Sequence, residues 1–332
     1  MYNAISCNIM LVGRFGGGVL VIKYVTKRLL LLIPILIGVA FLIFTIMEFT
    51  PGDPAVKILG IEAPQEAVEQ LREQLGLNRP FAVRFFDYIY KIVTRLDFGM
   101  SWRTKNPVFM DIIPRIPVSA TLAFLGIAFA TLFGIPLGVL SAVKQYSKSD
   151  NVLRVVSTIL VAVPTFWLAM LLILAFSSYL AWLPAGGVHS YVGYIMPVIT
   201  CGGPYGSAIL RITRSTMLEE IRQDYVRTAR AKGVPNNIII YKHALQNALL
   251  PVITTIGQNF GAILGGSVVA ESVFSLPGIG SLVILGIKSK DTPTVIASVL
   301  LIAFFFAIVM LAVDLMYAFI DPRIKAKYFK AE

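Results

Sequence analysis

Apolar runs of membrane-crossing length recur along almost the whole chain, separated by short basic gaps and one long segment of mixed charge. The first follows Lys27 and Arg28 and extends from Leu29 to Phe49 with no charge before Glu48. At about 1.5 Å per residue it is long enough to cross roughly 30 Å of hydrocarbon. Further runs over Val118–Val143, Val155–Leu183, Tyr194–Ile212, Leu249–Val273 and Val295–Ile320 predict about six transmembrane helices. The fourth is the least regular. Pro197, Gly202, Gly203, Pro204 and Gly206 fall within it and predict a break or kink, whose freed backbone groups need neighbouring helices or water. Pro164 predicts a kink in the third. Gly134 and Gly138, and again Gly257, Gly261 and Gly265, recur four apart, which reads as faces where helix backbones approach closely.

The polar gaps set an orientation. Basic residues crowd the segment before the first run (Lys23, Lys27, Arg28), the gap between the second and third (Lys144, Lys148, Arg154) and the gap between the fourth and fifth (Arg211, Arg214, Arg222, Arg227, Arg230, Lys232, Lys242). They also crowd the end of the chain, with Arg323, Lys325, Lys327 and Lys330. The third-to-fourth connector has no Lys or Arg, and between the fifth and sixth runs Lys288 and Lys290 are offset by Asp291. Positive charge favours the cytoplasmic side, so both termini are expected inside. Residues 50–117 then form an extracytoplasmic subdomain, with Glu66, Glu69, Arg72 and Glu73 on one helical face and Val68, Leu71 and Leu75 on another.

Composition agrees with a single membrane domain. Of 332 residues 57% are hydrophobic and 14% charged, and mean hydropathy is +0.78, against roughly 45–50% and 25% in soluble domains. The net charge of +11 does not point to nucleic acid, because the cations sit in the gaps between apolar runs without interleaved stacking aromatics. Cys7 and Cys201 lie far apart, and His189 and His243 are isolated, so no metal-ligand set is expected. Residues 1–22, with Gly16, Gly17 and Gly18, read as a disordered or non-native extension, and a physiological start near Val19 or Val21 is expected. The first transmembrane helix takes residues 23–49, the main transmembrane domain 118–320 and a cytoplasmic tail 321–332.

The chemistry concentrates in a cytoplasmic loop at about 214–248. Its centre, Asp224-Tyr225-Val226-Arg227-Thr228-Ala229-Arg230-Ala231-Lys232-Gly233, reads as a charged helix ending at a glycine suited to a left-handed cap. Small contact points at Ala229, Ala231 and Gly233 among cations suit a helix that docks into an acidic-rimmed groove of another protein. This stretch resembles the coupling loop of binding-protein-dependent ABC importer permeases. Arg227-Thr228-Ala229 stands where that family has Glu-Ala-Ala, with Gly233 at the family's offset, while Pro251 lies further downstream than the general pattern. These departures, with His243-Ala244-Leu245 and Asn247-Ala248-Leu249-Leu250-Pro251, resemble the dipeptide, oligopeptide and nickel branch, specifically its dipeptide-permease B-type subunit. So do Pro51-Gly52-Asp53-Pro54, Asp97-Phe98-Gly99, Glu271 to Gly280 and Asp321-Pro322-Arg323, in order.

The resemblance implies a non-catalytic subunit that pairs with a second, homologous permease and receives solute from an extracytoplasmic binding protein. It also implies docking of two cytoplasmic ATPases on Asp224, Tyr225, Arg227, Ala229, Arg230 and Gly233, with ATP and Mg held by those partners. The expected place is the inner membrane of a bacterium or archaeon, in contact with lipid and not with nucleic acid. The chain itself has no G-x-x-x-x-G-K-[ST] phosphate loop.

Polar residues within spans are the remaining candidates. Gln258, Asn259, Ser267 and Glu271 lie on the fifth helix, and they read either as the lining of a translocation path or as interhelical hydrogen bonds with an outer-end cap at Glu271. Asp314 reads as a structural partner for a cytoplasmic-side Arg or Lys. An intramembrane enzyme would need a motif such as H-E-x-x-H, which is absent, and an ion-coupled transporter would need ionisable groups near span centres, which are almost free of charge. Peptide is the favoured solute, with nickel or another small solute as the alternative.

Overall fold

The computed structural model describes the backbone of residues 2–188 and 190–320, and side chains within 24–315. The expectations for residues 1–22, for His189 and for the tail 321–332 lie outside the described side chains. Fourteen α-helices follow in order: α1 (Tyr2–Phe49), α2 (Pro54–Leu59), α3 (Gln65–Gln74), α4 (Phe81–Arg95), α5 (Val108–Ile112), α6 (Ile116–Val143) and α7 (Lys148–Ala162), then α8 (Thr165–Leu172), α9 (Ile195–Ile221), α10 (Asp224–Ala231), α11 (Asn236–Ile238), α12 (Leu245–Val273), α13 (Ile279–Ser289) and α14 (Thr292–Ile320). A π-helical stretch, Ile173–Tyr179, extends α8, and another, Ile239–Ala244, joins α11 to α12. Among the described residues the chain is helical apart from turns and one isolated bridge between Met100 and Pro107.

Small residues hold the centre together. A Cβ on Gly134 would lie 2.8 Å from the Gly206 carbonyl and from Ile209, and one on Gly138 would lie 2.6 Å from Thr213. Nearer the other end, a Cβ on Gly202 would meet the Gly126 carbonyl at 2.6 Å. α6 and α9 are therefore in backbone contact and run in the same direction. Gly257 packs on Val313 and Gly261 on Phe306, so α12 and α14 are antiparallel. A Cβ on Gly265 would meet nothing within 4 Å among the described residues. Arg28, midway along α1 and near the start of its apolar stretch, pairs with Asp314 near the end of α14 at 2.6 Å, as the sequence led us to expect, while Met47 packs near Val295 at the opposite end.

The third and fourth spans differ from expectation. At Val163–Pro164 the third bends by 107°, far beyond a proline kink, and the two pieces Lys148–Ala162 and Thr165–Tyr179 form a broken span or a re-entrant loop. The fourth, expected to break or kink, does not break: it is one continuous helix with Pro204 inside it. It lies between α6 and α12, and Thr200, Cys201, Gly202, Gly203, Gly206 and Ser207 are all buried. Tertiary packing thus outweighs the poor local propensity of its Gly and Pro residues. By length and apolarity four helices qualify as spans among the described residues, and five if the bent pair counts as one.

Residues 50–117 make a small helical layer at the end of the bundle away from α10. Phe85 on α4 packs with Ala40 and Phe44 of α1 and with Ile296 and Leu300 of α14. Val108 and Ile112 on α5 pack with Leu282 and Ala297. The α13–α14 connector locks the layer down. Asp291 accepts from Ser101 Oγ at 2.5 Å and Trp102 N at 3.1 Å, whereas Lys290 donates to the Met47 carbonyl at 3.0 Å and to that of Thr50. The two residues that read as an offsetting pair serve different partners.

Candidate functional site

α10 is short because its sequence stops it. Asp224 in the first turn complements the helix dipole, and Gly233 at φ +77° takes the left-handed conformation that side chains resist. Gly233 N donates to the Arg230 carbonyl at 3.0 Å and Val234 N to that of Ala229 at 3.2 Å, the paired bonds of a Schellman stop, with Pro235 next. Val226 is fully buried, facing the π-helical stretch before α12, while Asp224, Tyr225, Arg227, Arg230 and Gly233 are exposed and Ala229 is half-buried. Arg227 sits 3.7 Å from Asp224, an exposed contact of little energetic weight.

Tyr225 fixes this helix to the two long helices beside it. Its hydroxyl donates to Glu220 Oε2 of α9 at 2.5 Å and accepts from Asn247 Nδ2 of α12 at 3.0 Å. Burial first, and then the Glu220 carboxylate, raise the Tyr225 phenol above its ordinary value, so it stays a neutral donor. His243 is half-buried, and its carbonyl lies 3.4 Å from the same hydroxyl.

A second clamp braces the same end of the bundle. Asp150, fully buried near the start of α7, receives Arg214 Nε at 2.8 Å and Nη2 at 2.9 Å from α9, together with Ser141 Oγ from α6 at 2.5 Å and the Tyr146 amide at 3.0 Å. Arg214, with the other donors assisting, holds this carboxyl well below the usual carboxylate range. Our sequence reading missed Asp150. The available signal was Ser147 three residues earlier, whose Oγ accepts from the Asp150 amide at 3.3 Å in a capping turn.

At the far end Glu271 is fully buried. Its carboxylate accepts from Ser119 Oγ of α6 at 2.7 Å, Ser267 Oγ at 3.1 Å and the Ser281 amide at 3.0 Å. That amide belongs to the first turn of α13, so the carboxylate caps the helix from outside. Gly278 is required there because a Cβ would lie 2.2 Å from the carboxylate. Of the four polar candidates on α12, the structure brings Ser267 and Glu271 together in this buried clamp. Gln258 is exposed elsewhere on the helix, and half-buried Asn259 keeps an Nδ2 without a partner.

Comparison with known proteins shows what this architecture is similar to. Residues 134–326 match the family described as "Binding-protein-dependent transport system inner membrane component", and residues 21–123 match its N-terminal companion. The glutathione transport system permease protein GsiC of Salmonella typhimurium (strain LT2) is 40% identical over 306 residues, covering 92% of this chain and 100% of that protein. GsiC of Escherichia coli (strain K12) is 39% identical over the same span. Among solved structures, the inward-facing MetNI methionine ABC transporter aligns with TM-score 0.54 at 16% identity, over 65% of this chain and 98% of that one. At that identity the likeness concerns the fold.

Proposed function

The chain belongs to the binding-protein-dependent transport system inner membrane components and is a multi-pass permease subunit of an ATP-driven importer, not an enzyme; from this we propose that it forms half of the path for a small peptide. The exposed helix α10, anchored through Tyr225 to both α9 and α12, is the observation that carries the coupling part of this reading. A rigid helix with a cationic outer face can accept the force of a partner that closes on ATP and transmit it as rigid-body motion. In this reading two ATPases dock on Asp224, Tyr225, Arg227, Ala229, Arg230 and Gly233, and they hold the ATP and Mg. A second homologous permease completes the path, and an extracytoplasmic binding protein delivers the solute. The peptide assignment draws on the relatives named for glutathione, itself a tripeptide.

Six spans with both termini inside fit the helix directions. α6 and α9 run parallel, so the chain between them crosses the bundle once, which supports counting the bent α7–α8 pair as a span. α9, packed lengthwise between two qualifying spans, lies at their depth. The basic residues around α10 support a cytoplasmic location for that end, and with it an outer location for residues 50–117.

The test is uptake into proteoliposomes containing this chain and its partner permease, with and without the ATPases. Uptake should require the ATPases, and reversing charge at Arg227 and Arg230 together should uncouple ATP hydrolysis from uptake while the complex stays assembled. Transport driven by an ion gradient with no ATPase present would overturn the reading.

A further inference from the structure

A cleft of about 780 Å³ opens between the end of α1, the α2–α4 layer and the α13–α14 connector, at the opposite end of the bundle from α10. Its volume lies within the range of small-molecule sites. Five Lys or Arg side chains line it against three carboxylates. Each carboxylate is already engaged: Asp53 by Arg72, Asp87 by Arg79 and Glu48 by Arg84. Lys91 and Lys290 remain without a carboxylate partner among the described residues. Lys290 is only 4% exposed, and it donates to two backbone carbonyls at the end of α1 although an ammonium carries three donors. Burial pulls its proton affinity down and outweighs the opposing influence of the Glu48 and Asp53 carboxylates, neither of which pairs with it directly. Arg84 Nε is also buried without any acceptor, its guanidinium held over the Phe44 ring at 5.8 Å. Trp102 and Tyr88 supply aromatic surface in the same wall.

Unmatched donors and surplus positive charge in a cavity of this size suit a small ligand bearing a carboxylate. We propose that this cleft is a solute-reception site that takes a di- or tripeptide by its terminal carboxylate, with Lys91 and Lys290 as the recognising cations. The site rests on the importer reading, and it would hold solute on the outer side before the path between the permeases opens.

The chain, purified with its partner permease in lipid nanodiscs without binding protein or nucleotide, is titrated with trialanine and with trialanine amide by saturation-transfer NMR. Trialanine should bind saturably, and the amide should bind about tenfold more weakly, as expected for loss of a charge-assisted contact. Lys91→Ala, at an exposed residue whose side chain has no ion-pair partner among the described residues, should weaken trialanine binding by a similar factor. Lys290→Met should do so too in whatever fraction assembles. Equal binding of acid and amide, an unchanged affinity in Lys91→Ala, or no saturation up to about 10 mM overturns the proposal. ATPase-dependent uptake by the same wild-type permease pair, reconstituted into proteoliposomes with the ATPases and binding protein, separates this outcome from failure of the importer reading, since uptake can persist when the cleft binds nothing.

Discussion

Replacing Gly233 with alanine isolates the backbone requirement of α10. A Cβ at this position meets nothing within 4 Å, so no side-chain clash contributes. What remains is the left-handed backbone at φ +77°, which costs a residue with a Cβ roughly 1–2 kcal/mol. That energy lowers the population of the closed helix end relative to a frayed one by about 5- to 30-fold. Asparagine tolerates the same conformation better, so Gly233→Asn should lie between glycine and alanine. Hydrogen exchange at the Gly233 and Val234 amides reads the stop directly, because both donate into the Schellman pair. Peptide uptake per ATP hydrolysed, in proteoliposomes with the ATPases, reads its use. Amide protection and uptake per ATP should both fall in the order Gly, Asn, Ala, with Gly233→Arg at least as impaired as alanine. If exchange accelerates in the alanine variant but uptake per ATP stays at the wild-type value, α10 does not carry the force. If the alanine amides remain as protected as those of glycine, the cap argument itself is wrong.

Two further outcomes follow from the buried clamps. Asp150→Asn strands the Arg214 guanidinium, which is 19% exposed, and should destabilise the complex by about 3–5 kcal/mol, with part recovered in Asp150→Asn/Arg214→Met. Since the folded-state carboxyl titrates below its unfolded value, this stability is complete above the ordinary carboxylate range near pH 4 and is lost as pH falls through the depressed value. Thermal unfolding of wild type and variant should therefore converge in acid, and a gap that widens there would contradict the assignment. Glu271→Gln turns an NH₂ toward donors that the carboxylate now satisfies, leaving the Ser281 amide or a serine hydroxyl unmatched at about 1–3 kcal/mol. A melting temperature in detergent equal to that of wild type would show that the carboxylate does not hold α13.

What was legible in the chain depended on how local its cause is. Uniform apolarity over twenty or more residues declares a span wherever it occurs, so α1, α6, α12 and α14 were readable from hydropathy alone. Gly233 was readable too, because a left-handed stop followed by Pro235 is written in adjacent residues. Pro164 showed the place of a bend and not its size, since the 107° angle depends on what α7 and α8 pack against. α9 misled in the opposite sense. Its glycines look like breaks in one dimension and are close contacts with α6 in three. Tyr225, Asp150 and Glu271 draw partners from 22, 64 and 152 residues away, beyond the reach of any local pattern. Lys290 and Asp291 looked like mutual compensation because they are neighbours, yet their side chains bond to different elements.

Two of these long-range bonds lie toward opposite ends of one helix. The stretch Asn236–Val273 is 38 residues long, which at about 1.5 Å per residue gives a rod of nearly 60 Å. One end carries Asn247, bonded to Tyr225 of α10, and the other carries Glu271, bonded to α6 and to the first turn of α13. A displacement of α10 therefore reaches α13 through a single element, provided that the rod stays straight. It has two irregular places: the π-helical turn Ile239–Ala244, which lies beside α10 with Ile239 and Ala244 buried, and Pro251, which removes one helical hydrogen bond a turn beyond Asn247. Both irregular places lie in the half of the rod nearer α10, and beyond them Gly257 and Gly261 hold it against α14 with no room for a methyl group. α9, bound to α10 through Glu220 and to α7 through the Arg214–Asp150 fork, moves with the same corner. α9 and α12, both bonded to α10 through Tyr225, are thereby able to respond together as one rigid body if α10 moves.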